Sequence, residues 1–317
     1  MREFFGLEME NGGYLREPEG YFSWQHLLFV TLICLTAVLL GVLLGKRGRS
    51  RSDREKNQVL IKAALLLDAL ELFEIVFLCY RSHDPLNWLR TLPLFLCSVQ
   101  AFALPMAAFC KGRLKLAALD FVSIFGVLGM LLGTYGAGQN YACYPVLSFN
   151  NVESGLIHGI AGFAAIYIFA SGMDSLQKHN IRITFCILTG LCAVAYAANI
   201  LIGYNYMFLM RGDGTPYDIV YNAVGGSPVL YPLSVVGLFL LYIAVFYQAV
   251  YLIRRKRGID RPQPDNAASK PIILPSRIAG GDCGVYPAAS CGSRRPAAGD
   301  PGICGARTGR RKRRGNQ

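Results

Sequence analysis

Seven long apolar stretches constrain the fold more than any other feature of this chain. A bilayer core about 30 Å thick requires about 20 apolar residues in a helix. The stretches lie at about 22–45, 58–80, 88–109, 114–135, 152–173, 182–206 and 230–253. With 53% hydrophobic and only 16% charged residues, the chain is too apolar for an ordinary soluble domain, in which roughly a quarter of the residues are charged. The sequence therefore predicts an all-α, polytopic membrane helical bundle with seven transmembrane helices.

The loops between these stretches alternate in positive charge. The set at 46–57, 110–115 and 174–182 carries eleven Lys and Arg residues, whereas the opposite set, counted with the N-terminus, carries five. Loops rich in Lys and Arg stay on the cytoplasmic side of a membrane. We therefore expect the N-terminus outside and the C-terminus inside.

The same pattern divides the chain into three regions. Residues 1–21 are expected to form an extracytoplasmic segment, 22–253 the seven-helix transmembrane domain, and 254–317 a disordered basic cytoplasmic tail. The first apolar stretch follows a polar segment and precedes basic residues, so we expect a retained helix and not a cleaved signal peptide. Membrane lipids are the expected partners, with anionic lipid headgroups as a further expected contact of the tail. No nucleic-acid partner is expected.

The cysteines do not form a metal-binding pattern. Six of the ten Cys residues lie in or at the ends of predicted spans, where a free Cys usually fills apolar space. The sequence contains no CxxC pair, phosphate-binding loop, HExxH or GxSxG motif. No metal and no cofactor are predicted.

Ionisable groups inside the predicted spans are the candidate functional residues, because charge is costly to bury in lipid. Glu71 and Glu74 share one stripe of the second span, Cys97 lies in the third, and His158 lies in the fifth. From the helix rise, Glu74 and His158 lie about 9 Å below the outer edge of the membrane, and Glu71 and Cys97 about 13 Å below it. These depths predict a polar chamber that opens towards the outer leaflet.

Three further polar residues are expected to line this chamber. Asn199 lies about 10 Å and His26 about 6 Å below the same edge, and Asn205 lies at the end of the sixth span. Simpler roles remain open for several members of the set. His158 and the two Glu residues would then hydrogen-bond neighbouring helices, and Cys97 would be a packing thiol.

Five motifs in this order carry a resemblance to a known family. They are FSWQH at 22–26, LPLFLC at 92–97, SGLIHG at 154–159, NILIGYNYMFL at 199–209 and GGSPVLYPL at 225–233. Their set resembles the YwaF-like bacterial integral membrane proteins over about residues 20–253. The resemblance implies a multi-pass protein of the cell membrane, and specifically of the bacterial plasma membrane.

The YwaF-like family is itself similar, at a distance, to eukaryotic multi-span acyltransferases and to androgen-induced-gene lipid hydrolases. Those relatives use an intramembrane nucleophile with a His on another helix, and His158 matches that His. Leu94 occupies the position of the acyltransferase Cys, and Phe95 that of a His in the usual YwaF-like pattern. Cys97 is therefore a displaced nucleophile candidate.

Three functions are compatible with these residues. The first is lipid acyl transfer or hydrolysis, with His158 as general base, Cys97 as nucleophile, and Asn199 or Asn205 as an orienting or oxyanion-binding group. The second is a proton-coupled small-molecule transporter, in which Glu71 and Glu74 titrate. The third is a non-catalytic membrane scaffold or sensor.

Overall fold

The computed structural model describes residues 1–9, 12–173 and 176–256, and these residues form a helical bundle without β-strands. The α-helices of the described ranges are named α1 to α10 in chain order. Their bounds are Arg2–Phe5 (α1), Trp24–Gly48 (α2), Asp53–Ser82 (α3), Gln100–Phe109 (α4), Gly112–Leu132 (α5), Gly138–Cys143 (α6), Phe149–Ser171 (α7), Ile181–Ile202 (α8), Tyr217–Ala223 (α9) and Leu230–Lys256 (α10). The all-α prediction is confirmed. The tail predicted to be disordered lies, from residue 257 onward, outside the described residues.

Local side-chain hydrogen bonds fix where the long helices begin and end. The Ser52 hydroxyl accepts a hydrogen bond from the Glu55 N–H, and the Glu55 carboxylate accepts one from the Ser52 N–H, which forms a capping box at the start of α3. Ser148 caps α7 in the same way by accepting from the Asn151 N–H. Helix α7 ends at Gly172, whose φ of 72° is the left-handed conformation typical of a helix C-terminus.

Five of the described helices, α2, α5, α7, α8 and α10, are long and apolar enough to cross a membrane. Large apolar side chains such as Leu35, Leu201 and Leu241 are more than half exposed on these helices, which is typical of surfaces that contact lipid. The sequence predicts seven such helices, and the described ranges contain five. The side of the membrane on which each terminus lies stays a prediction.

The second predicted span, 58–80, lies inside the longer helix α3. Lys62, Asp68, Glu71 and Glu74 interrupt its apolar sequence, and they keep α3 out of the group of five apolar helices. Helix α3 is long enough to cross a bilayer at about 1.5 Å per residue. Its length agrees with the prediction, but its composition is that of a helix with a polar face inside the bundle.

The third predicted span, at about 88–109, is not a single helix, and the kink expected at Pro93 is a break in the structure. Residues 91–99 are not helical, and α4 begins only at Gln100 and has ten residues. Pro93 provides the physical reason, because it has no N–H for a helical hydrogen bond and disfavours the helical conformation at Leu92. The chain therefore enters the bundle as an irregular segment followed by a half-helix. Such backbone is tolerated inside membrane proteins where protein surrounds it.

Helix α7 packs closely against α2 on one side and against α5 on the other. A Cβ atom on Gly41 of α2 would lie 2.9 Å from the side chain of Ile166, and a Cβ on Gly126 of α5 would lie 2.6 Å from the backbone oxygen of Ala161. Real Cβ atoms essentially never approach other atoms this closely. Glycine at these positions therefore lets the helix backbones touch, as small residues do in membrane bundles.

Asp120 connects three parts of the chain at one end of the bundle. Its fully buried carboxylate accepts hydrogen bonds from the Leu176 N–H at 2.8 Å, the Asn180 side-chain amide at 3.0 Å and the Tyr247 hydroxyl at 2.8 Å. Tyr247 also contacts the Thr184 hydroxyl at 3.0 Å. The carboxylate of α5 thereby ties α10 to the segment that leads into α8, and charged hydrogen bonds of this kind are strong.

Candidate active site

One ring nitrogen of His158 makes a hydrogen bond, and the other has no hydrogen-bond partner among the described residues. Its Nδ1 lies 2.6 Å from the backbone oxygen of Ser154, one turn earlier on α7. Because a carbonyl oxygen can only accept, Nδ1 carries the proton of this hydrogen bond. Nε2 is buried and has no hydrogen-bond partner among the described residues. The neutral imidazole therefore presents an unshared electron pair at Nε2, which is the arrangement that a general base requires.

The close approach of Gly133 positions the His158 ring. Gly133 ends α5, and a Cβ atom built on it would overlap the Cδ2 and Nε2 atoms of His158. Its φ of −77° is available to any residue. Glycine is therefore needed here for the space it leaves to the imidazole and not for its backbone conformation.

Three carboxyl groups, of which Glu71 and Glu153 are buried and Glu74 is partly buried, lie in the same region. Glu71 and Glu74 lie one turn apart on α3, and Glu153 lies on α7 five residues before His158. The three interact electrostatically with one another, and Glu71 and Glu74 also interact with His158. Glu71 is 5% and Glu153 4% exposed, and each has a side-chain oxygen without a hydrogen-bond partner among the described residues.

Cys97 joins this group from the irregular segment before α4. Its sulfur is within electrostatic range of Glu71, Glu74 and Glu153 and lies 4.0 Å from the Ser98 hydroxyl oxygen. Cys97 and His158 do not hydrogen-bond each other in the described structure, although both border Glu71. Catalytic contacts are often long before a substrate is bound.

Three other residues were predicted to line the chamber, namely His26, Asn199 and Asn205. They instead make hydrogen bonds that fix the backbone at other places in the bundle. His26 accepts from the Phe22 N–H at 3.1 Å through Nδ1, and its Nε2 contacts the Thr134 carbonyl at 3.3 Å, so both nitrogens are occupied. Its ring also stacks on Tyr141 at a centroid distance of 3.9 Å. His26 therefore fixes the start of α2 against the end of α5.

Asn199 and Asn205 hold the turn that follows α8. The Asn199 side chain accepts from the Tyr206 N–H at 2.6 Å and donates to the Tyr206 carbonyl at 3.0 Å. Asn205 accepts from the Met210 N–H and donates to the Asp213 carboxylate. All the polar atoms of these two amide groups are thus used within the fold.

Tyr206 connects Asn199 to the irregular segment that contains Cys97. Its hydroxyl donates to the Leu89 carbonyl at 2.5 Å and lies 3.3 Å from the Leu92 N–H. The next residue, Met207, has a left-handed φ of 55°, which is costly for a side chain of this kind. Asn199 thereby stabilises a strained turn that in turn contacts the irregular segment containing Cys97.

We expect Asn199→Ala to loosen this turn. The substitution removes both hydrogen bonds to Tyr206, at a cost of about 1–3 kcal/mol. Amide hydrogen exchange should then become faster at Tyr206, whose N–H loses its acceptor. Asn222→Ala, at an exposed position of α9, is the matched control and should leave exchange at Tyr206 unchanged. Unaltered protection of Tyr206 in Asn199→Ala would contradict this role.

Two residues near the site were not selected from the sequence. Glu153 lies near the start of the apolar helix α7, and that position was a usable signal. Gln100 is a polar residue of the third apolar stretch, and its position at a helix start follows only from the break at 91–99. A patterned apolar stretch does not reveal such a break.

The N-terminal segment covers one end of α3 and α7. Arg81 at the end of α3 donates to Asn150 at 2.7 Å and contacts Tyr14 and the Phe5 carbonyl at 3.3 and 3.4 Å. Burial would raise the pKa of Glu19, but its hydrogen bonds from the Val146 N–H and from Arg16 outweigh burial and lower the pKa. Glu19 is therefore ionised at neutral pH and holds the segment to the chain before α7.

The two described cavities lie away from the carboxyl cluster. One of about 170 Å³ is lined by the N-terminal segment together with Pro145 and Leu147, and one of about 150 Å³ lies between the ends of α2 and α3 beside Tyr167. Neither is lined by Glu71, Cys97 or His158. No group of three His, Cys, Asp or Glu residues in the described ranges has the geometry to hold a metal ion.

Comparison with known proteins gives one family and no individual relative. No curated protein and no solved structure matches the chain. A sequence model of the TMEM164 family, a multi-span membrane family, matches residues 21–249 and so covers all the helices from α2 to α9 and most of α10. Together with the five apolar helices, this match identifies a multi-pass membrane protein. The chain belongs to the TMEM164 family.

Proposed function

We propose that this protein transfers or hydrolyses acyl chains of membrane lipids, with Cys97 as nucleophile and His158 as general base. The observation that supports the proposal best is the free Nε2 of His158, which is buried, fixed in its tautomer and placed beside the same carboxyl groups as Cys97. Family membership supports the membrane setting of this chemistry and not the chemistry itself.

The proposed reaction has two halves. His158 Nε2 takes the thiol proton of Cys97, and the thiolate attacks the carbonyl carbon of a lipid ester. The carbon–oxygen bond to the lipid then breaks, and His158 returns the proton to the departing oxygen. An acceptor hydroxyl or water, deprotonated by His158, next attacks the thioester, and the Cys97 sulfur leaves and regains a proton.

The carboxyl groups of Glu71 and Glu74 on α3 lie within electrostatic range of His158. A carboxylate at either position would attract the imidazolium that forms in both halves of the proposed cycle. Water-poor surroundings strengthen such interactions relative to bulk solvent.

Acyl labelling of the purified protein tests the proposal. In detergent micelles with an alkyne-tagged palmitoyl thioester, we expect a hydroxylamine-sensitive label on the wild-type chain. The label should disappear in Cys97→Ser and fall by about 10²–10⁴-fold in rate in His158→Ala. Cys186→Ser, at an exposed cysteine of α8, is the matched control and should retain the label. Equal labelling of Cys97→Ser would exclude Cys97 as the nucleophile.

A proton-coupled carrier is the second candidate. Glu71 and Glu153 favour it, because each has a buried carboxyl oxygen without a hydrogen-bond partner among the described residues, and buried carboxyl groups relay protons in membrane carriers. In proteoliposomes, Glu71→Gln would then abolish pH-dependent flux, and the wild-type chain would show no acyl labelling of Cys97. Acyl labelling without any flux would decide for the enzyme.

A further inference from the structure

Gln100 is a buried amide whose polar atoms have no partners. It is the first residue of α4 and is 1% exposed. Neither its Nε2 nor its Oε1 makes a hydrogen bond within the described ranges. Leaving such a buried group unpaired costs the full desolvation penalty of its donor and acceptor atoms. A buried amide in this state calls for an explanation beyond packing.

The backbone places Gln100 directly beside the proposed nucleophile. Its N–H donates to the Cys97 carbonyl at 3.3 Å, so the two residues are one turn apart. Gln100 also begins the buried stripe of α4, which continues through Ala103, Leu104 and Ala107. This face packs against α3 and α5, and α3 contributes Glu71. The Gln100 side chain is thus enclosed among the helices that border the site.

Asn199 and Asn205, which the sequence suggested as oxyanion-binding groups, already make hydrogen bonds within the protein. Asn199 binds the Tyr206 backbone through both of its polar atoms, and Asn205 binds Met210 and Asp213. Among the buried amide side chains of the described residues, Gln100 is the one with both atoms open. A buried hydrogen-bond donor without a partner, one helical turn from a nucleophile, is suited to stabilise an oxyanion.

We propose that Gln100 donates a hydrogen bond from Nε2 to the carbonyl oxygen of the substrate ester as that oxygen becomes negative. This inference rests on the proposed function and adds a catalytic residue to it. When the Cys97 sulfur bonds to the carbonyl carbon, the carbon–oxygen double-bond pair moves onto the oxygen, which accepts the Gln100 hydrogen bond. The pair returns when the lipid oxygen departs with the proton from His158. The same oxygen is stabilised again when water or an acceptor hydroxyl attacks the thioester.

Two reactions of Cys97 distinguish oxyanion stabilisation by Gln100 from an effect of Gln100 on the reactivity of the thiol itself. Acylation by 4-nitrophenyl laurate passes through an oxyanion, whereas alkylation by iodoacetamide displaces iodide and forms none. Both can be measured on the full chain in detergent, by the release of 4-nitrophenolate and by peptide mass spectrometry of Cys97. Gln100→Met keeps the size of the side chain and removes its donor. Gln248→Met, at an exposed position of α10, is the matched control.

We expect Gln100→Met to lower the acylation rate of Cys97 by about 10²–10³-fold, as loss of one oxyanion donor does. Its alkylation rate should match the wild type, which also shows that the site is folded. Gln248→Met should match the wild type in both reactions. Wild-type acylation in Gln100→Met would overturn the inference, and so would an equal fall in both rates, because Gln100 would then act on the thiol.

Failure of the proposed function has a separate signature. If the wild-type chain gives no acylation that Cys97→Ser abolishes, the acyl chemistry itself is wrong and the role of Gln100 is lost with it. If the wild type is acylated at Cys97 and Gln100→Met is acylated at the wild-type rate, the acyl chemistry stands and this inference alone is wrong.

Discussion

A Gly133→Ala variant is expected to lose acyl labelling of Cys97 almost as completely as His158→Ala does. The added methyl group would occupy the space of the His158 Cδ2 and Nε2 atoms, so the imidazole must turn away. Displacing a catalytic group by about 1 Å can cost about 10²-fold in rate. We therefore expect at least this loss, measured by the rate of hydroxylamine-sensitive labelling.

Gly190→Ala provides the control for this substitution. Gly190 lies within α8, and a Cβ atom at this position would meet no atom within 4 Å. Alanine in a helix interior is more favourable than glycine by about 1 kcal/mol, so Gly190→Ala should fold and label like the wild type. Wild-type labelling in Gly133→Ala would mean that the observed position of His158 is not required.

The largest expected effect on stability is that of Asp120→Ala. The substitution leaves the Leu176 N–H, the Asn180 amide and the Tyr247 hydroxyl without their shared acceptor. Hydrogen bonds to a charged group contribute about 1.5–3 kcal/mol each in soluble proteins and less in membrane bundles. We expect the free energy of unfolding in detergent to fall by about 2–4 kcal/mol.

Asp53→Ala is the matched control for Asp120→Ala. Asp53 is exposed at the start of α3 and lies 3.9 Å from Lys56 in a surface ion pair. Its loss should cost less than about 1 kcal/mol, because surface ion pairs and helix-end charges contribute little. If the two variants unfold at the same denaturant concentration, the Asp120 hydrogen bonds do not hold the bundle together.

Depth along a helix follows from a uniform rise per residue, so the sequence alone predicts Glu71, Glu74, Cys97 and His158 in one layer. In the structure Glu74, Cys97 and His158 each lie within electrostatic range of Glu71, and a functional role for the four residues stays a prediction. Depth does not report which way a side chain faces. His26 lies within the predicted layer, but it points to the backbone of α5.

The break in the third span could not be derived from hydropathy. Residues 88–109 are as apolar as a continuous helix, and only Pro93 within them opposes helix formation before Gln100. A proline in an apolar stretch predicts a kink as readily as a break. The hydrogen-bond partners of Asn199 could not be predicted from the sequence either. Asn199 binds the backbone of Tyr206, next to Met207, and the left-handed conformation of Met207 is held by tertiary contacts and not by its local preference.

The glycine contacts of α7 have a consequence for movement within the bundle. Gly126 lies against the backbone oxygen of Ala161, and Gly41 lies against the Ile166 side chain and the Phe163 backbone oxygen. Neither glycine has a side chain of its own that could change rotamer, so α2 and α5 can separate from α7 at these positions only if a whole helix moves.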